Sequence, residues 1–145
     1  MLQQMKKRMK DEKGLTLIEL LAVIVILAII AAIAIPAIGN IIENSRVKAA
    51  KADAVNILNA ANMYFTDEGA GVTTADRKAL EKYVDNWGTF KDDSGVIVTK
   101  GSPNTLKGTA TLSDKKTIKF NGASIEVINS TDVSPGGSIP SGSGS

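Results

Sequence analysis

Neither cysteine nor histidine occurs among the 145 residues. The first absence excludes a disulfide framework and a thiolate metal site. The second removes the commonest general base and the commonest metal ligand, so catalysis would have to rest on carboxylates, lysine or tyrosine alone. Aromatic residues are scarce as well, at 1 Trp, 2 Tyr and 3 Phe, which limits the core to a small one. No Ser-His-Asp set, zinc motif, P-loop or dinucleotide loop is present. The chain is therefore expected to be no enzyme, with no catalytic residue, no metal and no cofactor, and its length suits one ordinary domain.

Charge is present but unevenly spread behind a net of +2. Residues 1–14 hold five basic residues, Lys6, Lys7, Arg8, Lys10 and Lys13, against Asp11 and Glu12, a balance of +3. Of the 17 basic and 15 acidic residues, five and three precede Gly39, which leaves 12 of each beyond it. The outer part gives no strong sign of nucleic-acid binding and is no bulk polyanion binder.

Most of the large aliphatic content is concentrated in Leu15–Ile38, 24 residues with one charge. As a helix this run spans about 36 Å, enough for a hydrocarbon core of about 30 Å. The basic leader before it predicts a cytoplasmic N-terminus and an exported remainder. Beyond Ile38 helix formers continue, with Ile42, Ala50, Ala54, Leu58, Ala61 and Phe65 close to one face. The pattern predicts one nearly continuous helix to about Thr66, apolar all round in its first half and amphipathic in its second. Pro36 and Gly39 interrupt it, and a kink or local melting is expected there.

The residues "DEGAGV" (67–72) end this helix, and Thr74 is a candidate cap for a short second helix over "ADRKALEKYVDN". After Trp87 the period becomes two. Residues 95–100, 105–113, 116–120 and 123–128 read as strands of a small antiparallel sheet, with Asn121-Gly122 as a hairpin turn. The last twelve residues, "SPGGSIPSGSGS", read as a disordered Gly/Ser/Pro tail. The expected organisation is a leader over 1–14, a transmembrane helix over 15–38, an amphipathic helix over 39–66, an α+β globular domain over 67–133 and a tail over 134–145.

Glu19 is the one acid in the apolar run. An acid at the centre of a membrane helix costs about 2.5–3.5 kcal/mol, so it calls for a partner or a shallow position. Lying five residues from Gly14, it is compatible with the interface of a plain signal-anchor. Yet a basic leader ends in Lys13-Gly14, the apolar run begins at once, and Thr16-Leu17-Ile18-Glu19 and Pro36 follow. In these residues the stretch resembles the N-terminal segment of type IV pilins and of the pseudopilins of type II secretion and competence systems, a class III signal peptide. The likeness covers roughly the first 50 residues. It departs at Leu15, where the family most often has Phe.

The resemblance implies a long helix packed on a short helix and a small antiparallel sheet. It implies cleavage by a prepilin peptidase between Gly14 and Leu15, N-methylation of Leu15, and assembly into a helical homopolymer in which Glu19, with Thr16 beside it, sets the register. Pro36 and Gly39 would lie where the helix unwinds on assembly. Its partners would be further copies of itself, the peptidase, the membrane and, indirectly, the assembly platform and its ATPase. The chain would be a single-pass membrane protein before assembly and part of a surface filament afterwards. A pilus subunit, a pseudopilin of DNA uptake or secretion, and a signal-anchored surface binding protein that never polymerises all remain open. So does a secretory signal cleaved after Ala34, although the apolar stretch before it exceeds the usual ~7–15 residues.

Three further groupings carry weaker signals. Asp92-Asp93 with Asp114 has the oxygen ligands of a hard-cation site but no EF-hand spacing, and a solvated turn explains it too. Lys115, Lys116, Lys119 and Lys107 form a basic group able to meet phosphates or to guard an edge strand. Phe65, Tyr83, Trp87 and Phe90 read as core between the second helix, the sheet and the long helix.

Overall fold

Helix α1 spans Leu2–Glu68, and its assignment passes through Pro36 and Gly39 without a break. The structure, a computed structural model, describes residues 1–113 and 115–142, with the side chains of residues 7–15 outside the description. Two units divide the chain, Met1–Ile41 and Ile42–Ser145.

The first unit is helical. Every Leu, Ile and Val from Leu17 to Ile41 is exposed. By length and composition α1 is long and apolar enough to cross a membrane.

In the second unit the helix becomes amphipathic. Val47, Ala50, Ala54, Ile57, Leu58, Ala61 and Phe65 recur at three- and four-residue steps and are buried. Ile42, expected on this face, is exposed, and the stripe starts at Val47. Three alanines in the stripe have no side chain beyond Cβ, so the helix backbone can approach the sheet closely.

That sheet has five strands in the order β1-β2-β3-β4-β5: β1 (Thr74–Asp76), β2 (Ile97–Thr99), β3 (Thr105–Ser113), β4 (Lys116–Ala123) and β5 (Ser138–Ile139). The first four pair antiparallel, and β5 lies parallel to β4. The small sheet is thus mixed, where an antiparallel one was expected. Alternation sends Val98, Leu106, Ala110, Ile118 and Phe120 inward onto the helix and leaves Thr99, Lys107 and Lys119 outward. Two short helices, α2 (Arg77–Leu80) and α3 (Ile125–Ser130), complete an α+β, pilin-like arrangement.

Several expected boundaries differ, each for a tertiary reason. Thr74 does not cap the second helix: Thr74–Asp76 pairs with Ile97–Thr99, and Asp76 becomes the cap, accepting from the Ala79 amide at 2.9 Å. The helix then stops after one turn, and Tyr83 and Val84 donate back to the Leu80 carbonyl. Asn121-Gly122 is no hairpin turn but part of β4. Between the pairs Leu106↔Ala123 and Lys107↔Asn121 the register shifts, and Gly122 adopts a φ of +90°. The extra residue makes a bulge there, for which glycine is suited.

Residues 123–128 were expected as a strand, but Ile125–Ser130 is helical, capped by the Ser124 hydroxyl. The short apolar run fits either period, and here Ile128 is buried. The tail is not without structure over its described part. Ile139 is fully buried in β5, and Lys119 donates to the Gly137 carbonyl at 3.2 Å. Lys107 and Lys119 guard no edge, because β3 and β4 are interior strands.

Candidate functional site

Glu19 projects from the exposed apolar helix among Leu17, Ile18, Leu20 and Leu21, which are 58–67% exposed. It makes no hydrogen bond or ion pair among the described residues. Thr16 precedes it by three residues and shares its helix face. Gly14 and Leu15 fall among the residues whose side chains lie outside the description. Glu19 stands about 4.5 Å along the axis from Thr16, at the start of the apolar stretch rather than its middle.

Pro36 sits inside the helix. It has no backbone N–H, so the carbonyl one turn earlier, at Ala32, loses its usual donor. A methyl group added at Gly39 would meet nothing within 4 Å. No contact within the chain therefore requires glycine there, although glycine weakens the helix by about 1 kcal/mol relative to alanine.

The other groupings are drawn into structural roles. Arg77 donates to the carbonyls of Phe90 (2.9 Å) and Lys91 (3.0 Å) and pairs with Asp92 at 2.9 Å, and its guanidinium lies 4.2 Å from the Trp87 ring centre. Asp92 thus already faces a cation of the chain itself, Asp93 is exposed, and Asp114 lies outside the described residues. Lys116 pairs with Glu43. Lys107, Lys115 and Lys119 are exposed.

The aromatic residues do not form one cluster. Phe90 packs on Phe120 at 5.4 Å, whereas Tyr64 touches Phe65 at 5.6 Å and Tyr83 at 5.7 Å. Phe65 and Phe90 are buried, as a core role requires, while Tyr83 and Trp87 are half-buried.

Arg77 and Asp53 escaped the reading of the sequence. Asp53 accepts from the amide and the hydroxyl of Thr89, both at 2.8 Å, and its carboxylate fills the space that a side chain at Gly88 would need. Gly88, at φ +54°, has both the room and the backbone freedom for this approach. An acid on a helix followed far along the chain by Gly-Thr is too common a pattern to identify such a bond in advance.

An exposed apolar helix bearing one acid, ahead of an α+β domain, defines the class as a pilin-like protein with a candidate membrane span. Residues 9–35 match the prokaryotic N-terminal methylation motif, the class III signal peptide of type IV pilins. This motif belongs to precursors of structural, pilin- or pseudopilin-type proteins that a prepilin peptidase processes. The match covers Gly14, Leu15, Thr16 and Glu19 and ends before Pro36. No curated protein and no solved structure matches the chain.

Proposed function

We propose that the chain is a structural subunit of a type IV filament. It enters the membrane as a precursor with its N-terminus in the cytoplasm, is cut between Gly14 and Leu15, and polymerises through the helix over 15–38 into a surface filament. The observation that carries this reading is a run of aliphatic side chains exposed all round the helix and broken by one acid, within a segment that matches the methylation motif. Such a surface calls first for lipid and then for like helices.

In this reading cleavage frees an α-amino group at Leu15, which is N-methylated. The carboxylate of Glu19 on a neighbouring copy pairs with it, so two desolvated charges become one compensated pair. Lipid penalises the lone acid and the filament does not, which favours incorporation and sets the axial register. Repeating head-to-tail contacts that do not close produce fibres. No nucleotide-binding motif is present in the sequence, so the energy for assembly comes from an assembly platform and its ATPase.

The test is mass spectrometry of the N-terminal peptide, with and without a co-expressed prepilin peptidase, followed by shearing and sedimentation. The expected start is Leu15, heavier by one methyl group. Glu19→Ala should still be cut, yet lose up to about two powers of ten in pelletable filament if the membrane penalty of about 2.5–3.5 kcal/mol is what pairing relieves. A start at Met1 with the peptidase present, or full assembly of Glu19→Ala, would refute the proposal.

A further inference from the structure

Immediately beyond the last exposed aliphatics, Ile41 and Ile42, the sequence turns to Glu43, Arg46 and Lys48. At about 1.5 Å per residue, Arg46 and Lys48 stand about 6 and 9 Å past Ile42 along the helix. The headgroup layer on each side of a hydrocarbon core is about 5–8 Å thick, so these cations fall in it or at its edge.

The fold adds to them from far along the chain. Lys116, at the start of β4, pairs with Glu43, and a cleft lined by Glu43, Arg46, Leu112, Ser113, Lys116 and Pro135 marks where the β3–β4 connection meets the helix. Lys115 is thereby carried to the same end of the unit. With Glu43 engaged by Lys116, the exposed Arg46, Lys48 and Lys115 have no ion-pair or hydrogen-bond partner among the described residues.

By sequence this end carries four basic residues against Glu43 and Asp114, a balance of +2. The remainder of the unit, with 8 basic and 10 acidic residues, carries the compensating −2. A domain neutral in sum is therefore polarised, with its positive end beside the residue at which the apolar run stops.

We propose that Arg46, Lys48 and Lys115 form a docking surface for the headgroups of anionic phospholipids, which holds the outer unit against the bilayer before assembly. The inference rests on the membrane-inserted reading above, but not on cleavage or polymerisation. Charge complementarity selects the partner, since clustered cations next to a membrane span are attracted to an anionic lipid surface. Long Lys and Arg stems can lay their methylenes along the interface while their charges reach phosphate. The attraction weakens with salt, since the screening length is about 8 Å at physiological ionic strength.

The test uses the uncleaved full chain in vesicles of phosphatidylcholine alone or with added phosphatidylglycerol. Because the chain has no cysteine, Ser113→Cys places a single nitroxide label beside the patch, and its collisions with a neutral water-soluble paramagnetic reagent report exposure. In the anionic vesicles at low salt, accessibility should fall to about half or less of that in neutral vesicles. High salt should abolish the difference. So should Arg46→Glu/Lys48→Glu/Lys115→Glu, or the milder triple Gln variant where the reversal disturbs the circular dichroism spectrum.

Equal accessibility in the two vesicle types overturns the proposal, as does a difference that survives charge removal. A difference seen only at high protein-to-lipid ratio also overturns it, because the partner is then a second copy. Extraction of the chain by alkaline carbonate overturns the membrane reading itself, and this proposal with it, whereas failure of the lipid effect in a firmly inserted chain leaves the filament reading standing.

Discussion

Tyr83 lies just past α2, and its hydroxyl donates to the Asp67 carboxylate at 2.9 Å, tying that segment to the end of α1. The hydrogen bond to Asp67 raises the phenol above its ordinary value of 10.0, with desolvation and the nearby negative charges of Asp67 and Glu68 adding in the same direction. A group whose folded value is raised lends its stability below the unfolded value and loses it as pH climbs through the folded one. The contribution of this bond should thus be intact up to about pH 10 and vanish above it. NMR titration of ring-labelled Tyr83 should show a midpoint above that of free tyrosine, and Asp67→Asn should bring it down. A midpoint unmoved by Asp67→Asn would refute the assignment of the shift. Residues like these differ sharply in how far the sequence reveals them. Glu19 stands out because an acid inside an aliphatic run contradicts its surroundings. Arg77 and Asp53 look like ordinary surface charges, because the carbonyls and hydroxyl that engage them lie 13 and 36 positions away.

At the scale of elements, the two-residue strand β5 is held mainly by one side chain. Ile139 is fully buried and pairs with Phe120 at the end of the sheet. Ile139→Ala should cost about 2–5 kcal/mol, the range for a large aliphatic cut back in a core. Denaturant unfolding of the detergent-solubilised chain, followed by circular dichroism, would measure this, and a loss well under 1 kcal/mol would show that the tail adds little. The same element shows where reading the sequence failed. Gly, Ser and Pro around one isoleucine carry no period, and only the open flank of β4 gives that isoleucine a place. Elements with many residues in phase were legible: the long helix through its aliphatic and alanine stripe, and β3 over the same nine residues, Thr105–Ser113, that its alternation outlines. Short runs were not. Residues 123–128 satisfy both periods, and Asn121-Gly122 serves a bulge as well as a turn. In both cases the choice is made by contacts with other elements, because local preferences differ by less than the burial of one large side chain.

For the molecule as a whole, the leader is an electrostatic device with a temporary task. Its balance of +3 holds the N-terminus on the cytoplasmic side during insertion. The same charge would later sit at one end of a helix that has to bundle with copies of itself, where like charges repel. Removal of residues 1–14 therefore follows from the physics of assembly as well as from the motif. It also changes the sign of the protein. The precursor, at +2, has a sequence pI of about 8.8. Without its leader the chain retains 12 basic and 13 acidic residues, a net of −1, and methylation of the new amine leaves that amine's charge in place. Isoelectric focusing in urea and neutral detergent should thus move the protein from the basic to the acidic side of neutrality when the peptidase is present. Secretory cleavage after Ala34 would leave 12 residues of each sign and a band near neutrality. An uncut anchor would stay basic. The three readings separate on one gel, and only a crossing to the acidic side is compatible with a subunit whose helix enters a filament beginning at Leu15.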